Sequence, residues 1–250
     1  MLLIAGLAFF LNLFPGTVLQ LAHARIGLVV SQMLFIAGPV ALAIRWFFLD
    51  PRSIVPMPRP DGRAWAAAVL GTLGLNHLLT LYGAWQERVF PTPEPLRSLF
   101  DDLLVYRGAF DLALLLVVFA LVPAACEEIL FRGFLQSGLA RLVDGPAATV
   151  VASALVFGLF HFDPWRFAGV AGLGLYLAYL RQATGGLGAS MAAHATNNIV
   201  SISLAVSGVL AHDRAPGNAW SAMAAAALVV LSVLLIESCR TAGKAPGRML

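Results

Sequence analysis

Residues 112–132, LALLLVVFALVPAACEEILFR, join an uncharged apolar run to two adjacent glutamates and an arginine. Glu127, Glu128 and Arg132 lie just beyond the run, which ends at Ala125. Ionisable side chains are costly inside a membrane and usually mark function there. This stretch therefore predicts a membrane-spanning helix with a functional site at one end.

The composition of the whole chain is typical of a polytopic membrane protein. Of the 250 residues, 60% are apolar and 12% are charged, and the mean hydropathy is +0.84, whereas soluble domains are about half apolar and a quarter charged. A run of about 20 apolar residues spans a bilayer. Eight apolar segments are present, at 2–21, 27–49, 64–85, 109–142, 147–161, 167–183, 187–208 and 219–237. We predict an all-α membrane bundle of about eight transmembrane helices.

Three parts of the chain are expected to form one membrane domain. Residues 1–108 hold the leading transmembrane helices and an amphipathic helix near 96–105, predicted to lie on the membrane surface or, as an equal alternative, to pack on the bundle. Residues 109–208 hold the polar motifs of a catalytic core. Residues 209–250 hold the last transmembrane helix and a basic cytoplasmic tail.

The distribution of basic residues predicts the topology. Eight spans place both termini on one side, and the termini are cytoplasmic if that side is the more basic. One side holds ten basic residues: Arg45, Arg52, Arg59, Arg63, Arg132, Arg141, Arg181, Arg240, Lys244 and Arg248. The other holds six: Arg25, Arg88, Arg97, Arg107, Arg166 and Arg214. The net charge of +3 is small and scattered over loops, so no nucleic-acid partner is expected.

Three polar motifs repeat a spacing of four residues. In Glu127-Glu128-x-x-x-Arg132, Glu128 and Arg132 share a helix face and can pair, while Glu127 points about 100° away and stays free to handle protons. The other motifs are Phe157-x-x-x-His161 and His194-x-x-x-Asn198. The structural alternative is an ion pair and an interhelical hydrogen bond without chemistry.

The depth of these motifs predicts that they meet. Glu127 lies 17 residues before Asp144 and His161 lies 17 residues after it. A hairpin that turns near Asp144 brings both to roughly 20 Å from the turn. His194 and Asn198 begin a helix that enters from the same side. We therefore expect one polar pocket that opens to the cytoplasm.

The residue types in the motifs are suited to the activation of water. A glutamate can take a proton from water and pass it to a leaving amine. An imidazole can orient that water or bind a metal, and an asparagine amide can donate to an oxyanion. The sequence has no serine in a nucleophile-elbow pattern and no His-Glu-x-x-His zinc motif.

The three motifs, in this order on successive helices, resemble those of the CPBP intramembrane proteases. That group includes the CAAX prenyl endopeptidases and the bacterial abortive infection (Abi) proteins. The resemblance covers roughly residues 109–208 and implies an eight-helix membrane endopeptidase.

The resemblance also implies roles for individual residues. Glu127 would be the general base, acting with His161 on the attacking water, and His194 and Asn198 would stabilise the oxyanion. Asn197 is the fallback for Asn198. By the same resemblance, Glu128 and Arg132 would shape the site. If a divalent metal such as zinc is required, its implied ligands are Glu127, His161 and His194.

The leading hypothesis is an endopeptidase that cleaves a membrane-associated or lipidated peptide at the cytoplasmic face of a bacterial inner membrane. Its expected partners are a peptide or lipidated-protein substrate and membrane lipids. One alternative is a non-catalytic membrane immunity or binding protein. Another is a small ion or proton transporter, although no inverted repeat is found in the sequence.

Overall fold

The computed structural model describes residues 1–58, 61–208 and 217–242, and in this part of the chain every regular element is a helix. The helices are α1 (Leu2–Ala22), α2 (Ala24–Trp46), α3 (Pro51–Ile54), α4 (Gly62–Val89), α5 (Glu94–Leu103), α6 (Gly108–Leu139), α7 (Pro146–Phe160), α8 (Phe167–Thr184), α9 (Gly188–Val206) and α10 (Ala219–Ala242). Basic residues of the predicted topology that lie outside the described residues are Arg59, Arg214, Lys244 and Arg248. The all-α membrane class is confirmed.

Five of the described helices are long and apolar enough to cross a membrane, namely α1, α2, α4, α6 and α10, with mean hydropathies of 1.4 to 2.4. The other three predicted spans are also helices. Of these, α7 is apolar but only 15 residues long, while α8 and α9 have 18 and 19 residues and carry several polar side chains. The predicted polar motifs therefore lie on α6, at the end of α7 and on α9.

π-Helical turns interrupt three of the long helices. The turn at Asn12–Gly16 in α1 contains Pro15, which lacks an N–H and so breaks the α-helical ladder. A second turn, Ser31–Ala37, lies in α2, and α6 holds two more, Val117–Leu121 and Ile129–Leu135, of which the latter directly follows the double glutamate. Such turns often accompany functional sites, and here the turn of α2 packs against those at Asn12–Gly16 and Ile129–Leu135.

The amphipathic helix α5 is held at one end of the bundle by the loop between α7 and α8. The indole N–H of Trp165 donates to the Pro91 carbonyl oxygen at 3.0 Å, and its ring stacks on Phe90 with centroids 5.2 Å apart. The Arg166 guanidinium lies 4.7 Å above the ring of Phe100 on α5. Packing on the bundle is thus observed, while a position on the membrane surface stays a prediction.

The opposite end of the bundle is closed by an apolar cluster. Phe131, Phe134 and Leu139 of α6 are buried there, and Met1 and Ile54 pack against them. The start of α1 and the end of α6 therefore lie at this closed end.

Helix α10 packs closely along α4 at two glycines. A Cβ atom at Gly74 would lie 2.5 Å from the carbonyl oxygen of Ala225, and one at Gly71 would lie 2.5 Å from Ser232 Cβ. Contacts that short do not occur between real side chains and backbone. The small residues thus allow the backbones of the two helices to approach closely, which is a common way to pack membrane helices.

We expect Gly74→Ala to destabilise the protein by about 1–3 kcal/mol, because the added methyl group forces α10 away from α4. Gly83→Ala is the matched control on the same helix, since a Cβ there meets nothing within 4 Å and alanine favours helix by up to about 1 kcal/mol. Thermal unfolding in detergent measures both. Equal melting temperatures for the two variants would contradict the close packing.

Candidate active site

The Glu128 carboxylate is held between an arginine and an imidazole inside the bundle. Glu128 and Arg132 are both 0% exposed, and Arg132 Nη1 lies 3.0 Å from Glu128 Oε1. The same oxygen is 3.1 Å from His194 Nδ1. Arg132 also donates to the Gly174 carbonyl oxygen at 3.3 Å and lies 4.2 Å from the centre of the Phe157 ring. The pair expected from the four-residue spacing therefore forms, and it links α6, α8 and α9.

Glu127 has a different environment from its neighbour. Its side chain is 12% exposed, and its Oε1 accepts a hydrogen bond from Gln32 Nε2 at 2.9 Å. Its Oε2 lies 3.8 Å from His194 Nε2. Arg132 therefore pairs with the carboxylate of Glu128, whereas the carboxylate of Glu127 faces the imidazole of His194.

His161 presents one ring nitrogen as an acceptor. Its Nδ1 lies 2.9 Å from the carbonyl oxygen of Phe157, and because a carbonyl only accepts, this nitrogen carries the proton. In the neutral ring, Nε2 is then the nitrogen with a lone pair. The Phe157 ring packs edge-on against both imidazoles, with centroids 5.0 Å from His161 and 5.7 Å from His194. This phenylalanine sets the separation of the two histidines.

The two adjacent asparagines of α9 play different structural parts. Asn197 accepts from Asn76 Nδ2 on α4 at 3.0 Å, and its own amide nitrogen is 3.4 Å from Asn198 Oδ1. Asn76 also donates to Ser201 at 2.8 Å. Among the described residues, none accepts a hydrogen bond from the Asn198 amide nitrogen, so this asparagine retains its donors for a ligand.

A cavity of about 600 Å³ brings these groups together. Four of the six predicted site residues line it: Glu127, His161, His194 and Asn198. The remaining two, Glu128 and Arg132, are fully buried and reach the cavity only through His194. The roles of these six residues stay predictions.

The cavity extends from the site toward the end of the bundle where α5 lies. Its walls include Phe100 and Leu104 of that region and Phe162 and Arg166 of the loop between α7 and α8. Met1 and the turn after α6 lie at the other end. The expectations of a cytoplasmic opening and a cytoplasmic N-terminus therefore cannot both hold, because the cavity and Met1 lie at opposite ends of the bundle.

A physical reason explains the conflict. The depth estimate measures Glu127 and His161 from the turn near Asp144, but the apolar cluster fills the bundle between that turn and the site. The charge count also includes Arg132, which is buried in an ion pair rather than placed in a loop. Ten minus one leaves nine basic residues against six, a weaker bias for cytoplasmic termini.

Gln32 contacts the site although it belongs to none of the motifs. It lies beside Ser31 inside the apolar segment 27–49, and a polar residue in a membrane helix is itself a signal for function. The polar character of Gln32 does not identify its partner, however, because Glu127 lies on α6, far away in the sequence.

The predicted metal ligands do not form a three-donor group. Within the described part of the chain, no three His, Cys, Asp or Glu side chains are placed to hold a metal ion. Glu127 and His194 approach to 3.8 Å, but catalytic zinc is usually held by three protein ligands. The described donor set therefore does not fit a catalytic metal.

The fold and the site together define an integral membrane protein with glutamate, histidine and asparagine side chains around one cavity. Residues 109–200 match the family model described as type II CAAX prenyl endopeptidase Rce1-like. This segment is similar to that family, which is consistent with the resemblance drawn from the three motifs. Comparison with curated proteins and with solved structures gives no match.

Proposed function

We propose that the protein is a glutamate-type intramembrane endopeptidase that hydrolyses a peptide bond in a membrane-associated or lipidated peptide. The observation that carries this proposal is the shared cavity of Glu127, His161, His194 and Asn198. The family match supports peptide hydrolysis at a general level.

In the proposed first step, water is held between Glu127 and Nε2 of His161. Glu127 takes one proton from the water, and the resulting hydroxide attacks the carbonyl carbon of the scissile bond. The negative charge that develops on the carbonyl oxygen is stabilised by the free amide N–H groups of Asn198. A protonated His194 donates from Nε2, and the Glu128 carboxylate beside Nδ1 stabilises the imidazolium.

In the second step the tetrahedral intermediate collapses and the C–N bond breaks. Glu127 returns its proton to the leaving nitrogen, which departs as an amine, and the other product is a carboxylic acid. The glutamate thus ends each cycle ionised, as it began. Such proton transfers by a positioned group contribute about 10²–10⁴-fold to a rate.

The walls of the cavity favour a largely apolar peptide. Beyond the polar site they are formed by side chains of several helices: Leu13, Leu28, Ile36, Phe119, Phe160 and Ile202. Apolar walls with a few placed polar groups are typical of ligand sites. A lipidated or hydrophobic peptide is therefore the proposed substrate, with a bacterial inner membrane as the proposed location.

The test is cleavage of a peptide library by the protein purified in detergent, with products identified by mass spectrometry and bound metal measured on the same sample. We expect defined cleavage products without stoichiometric metal. The same preparation in liposomes tests the transporter alternative through proton or ion flux. Flux without cleavage supports a transporter, and binding of a peptide without cleavage supports an immunity or binding protein.

A further inference from the structure

Gln32 lies on the π-helical turn of α2 that packs against the double glutamate of α6. Its side-chain amide donates to Glu127 Oε1 at 2.9 Å, and the residue is 6% exposed. Because an ionised carboxylate only accepts hydrogen bonds, the side-chain amide of Gln32 must point its nitrogen, and not its oxygen, toward Glu127. Gln32 lies outside the segment 109–200 that matches the family.

The cost of placing this glutamine indicates a role beyond packing. Its Oε1 atom is buried and has no hydrogen-bond partner among the described residues. A buried acceptor without a partner destabilises a fold, and an apolar residue of the same length would avoid that cost. The retained contact is the one to Glu127.

We propose that Gln32 is a positioning residue that holds Glu127 for catalysis, an inference that rests on the proposed function. By occupying Oε1, the amide of Gln32 fixes the rotation of the carboxylate. Oε2 is then the oxygen that faces His194 and the cavity, where the proton is taken from water. The leading helices thus contribute to the site through one hydrogen bond that crosses from α2 to α6.

Gln136 provides a matched control. It is also a buried glutamine whose Oε1 has no hydrogen-bond partner among the described residues, but its amide donates to the carbonyl oxygen of Ala178 at 3.0 Å, away from the residues that line the cavity. Gln136→Met and Gln32→Met remove the same groups at nearly constant side-chain length. Only the second removes a donor to Glu127.

The experiment compares cleavage kinetics and melting temperatures of the two variants with those of the native protein. Hydrogen bonds to charged groups are strong, so for Gln32→Met we expect kcat to fall by about 10- to 100-fold with KM nearly unchanged. The melting temperature should stay the same or rise, because the buried acceptor is removed. Gln136→Met should keep kcat within about 3-fold.

A structural role for Gln32 makes the opposite prediction, with a lower melting temperature and little change in kcat per folded molecule. That result overturns the inference. Gln32→Asn keeps the amide but is one methylene too short to reach Glu127, so the same loss of kcat is expected, and this variant decides if Gln32→Met does not fold. If Gln32 variants stay active while Glu127→Gln is inactive, positioning fails and the proposed function stands. If Glu127→Gln is active, the proposed function itself fails.

Discussion

Glu127→Gln is expected to lower kcat by about 10³–10⁴-fold, toward the upper end of what a general base contributes. The substitution keeps the size of the side chain, and its amide oxygen can still accept the hydrogen bond from Gln32. What is lost is the group that takes the proton from water. Initial rates of peptide cleavage measure the effect, normalised to monodisperse protein of native melting temperature.

Glu237→Gln is the control for this prediction. Glu237 lies on α10 and pairs with Arg240 on a partly exposed face, away from the cavity. The same chemical change there should leave kcat unaltered. If Glu127→Gln kept more than about a tenth of the native activity, Glu127 would not be the base.

The second large effect that we expect is a loss of stability in the variant Arg132→Met. The variant leaves the buried Glu128 carboxylate without the guanidinium of Arg132, and breaking a buried pair on one side costs about 3–5 kcal/mol. Both side chains are 0% exposed in the native protein. Thermal unfolding in detergent should show a large drop in melting temperature. Arg240→Met, which breaks a pair with side chains 44% and 39% exposed, should cost only about 0–1 kcal/mol.

A double variant separates the ion pair from packing. Glu128→Gln combined with Arg132→Met removes both charges of this pair, so neither partner stays buried without the other, and we expect the double variant to be more stable than Arg132→Met alone. A double variant that is less stable than either single variant would show instead that the shapes of these side chains matter more than their charges.

Spacing within one helix made much of the site predictable from the sequence. Because residues four apart share a helix face, Glu128 and Arg132 could be paired, and Glu127 could be assigned to a different face. The long apolar runs likewise gave the helices, since only helices and closed barrels satisfy backbone groups in a bilayer. Both features depend on residues that are close together in the sequence, so they can be predicted from the sequence alone.

Contacts between helices that are far apart in the sequence could not be predicted in this way. Gln32 reaches Glu127 only because the π-helical turn of α2 packs against the α-helical segment Val122–Glu128 of α6, and no periodicity in either helix specifies their register. The direction of the cavity depends on which end of the bundle the apolar side chains fill. Phe131 and Phe134 close the end near Met1, whereas the sequence alone treats both ends as equivalent.

The central claim is that Glu127 and His161 act as one unit on a single water molecule. A double-mutant cycle of Glu127→Gln and His161→Ala on kcat/KM tests it most directly. Residues that act together give losses far from multiplicative, so we predict that the double variant is within about 10-fold of the less active single variant. Losses that multiply would show that the two side chains work independently, and this would contradict the shared water.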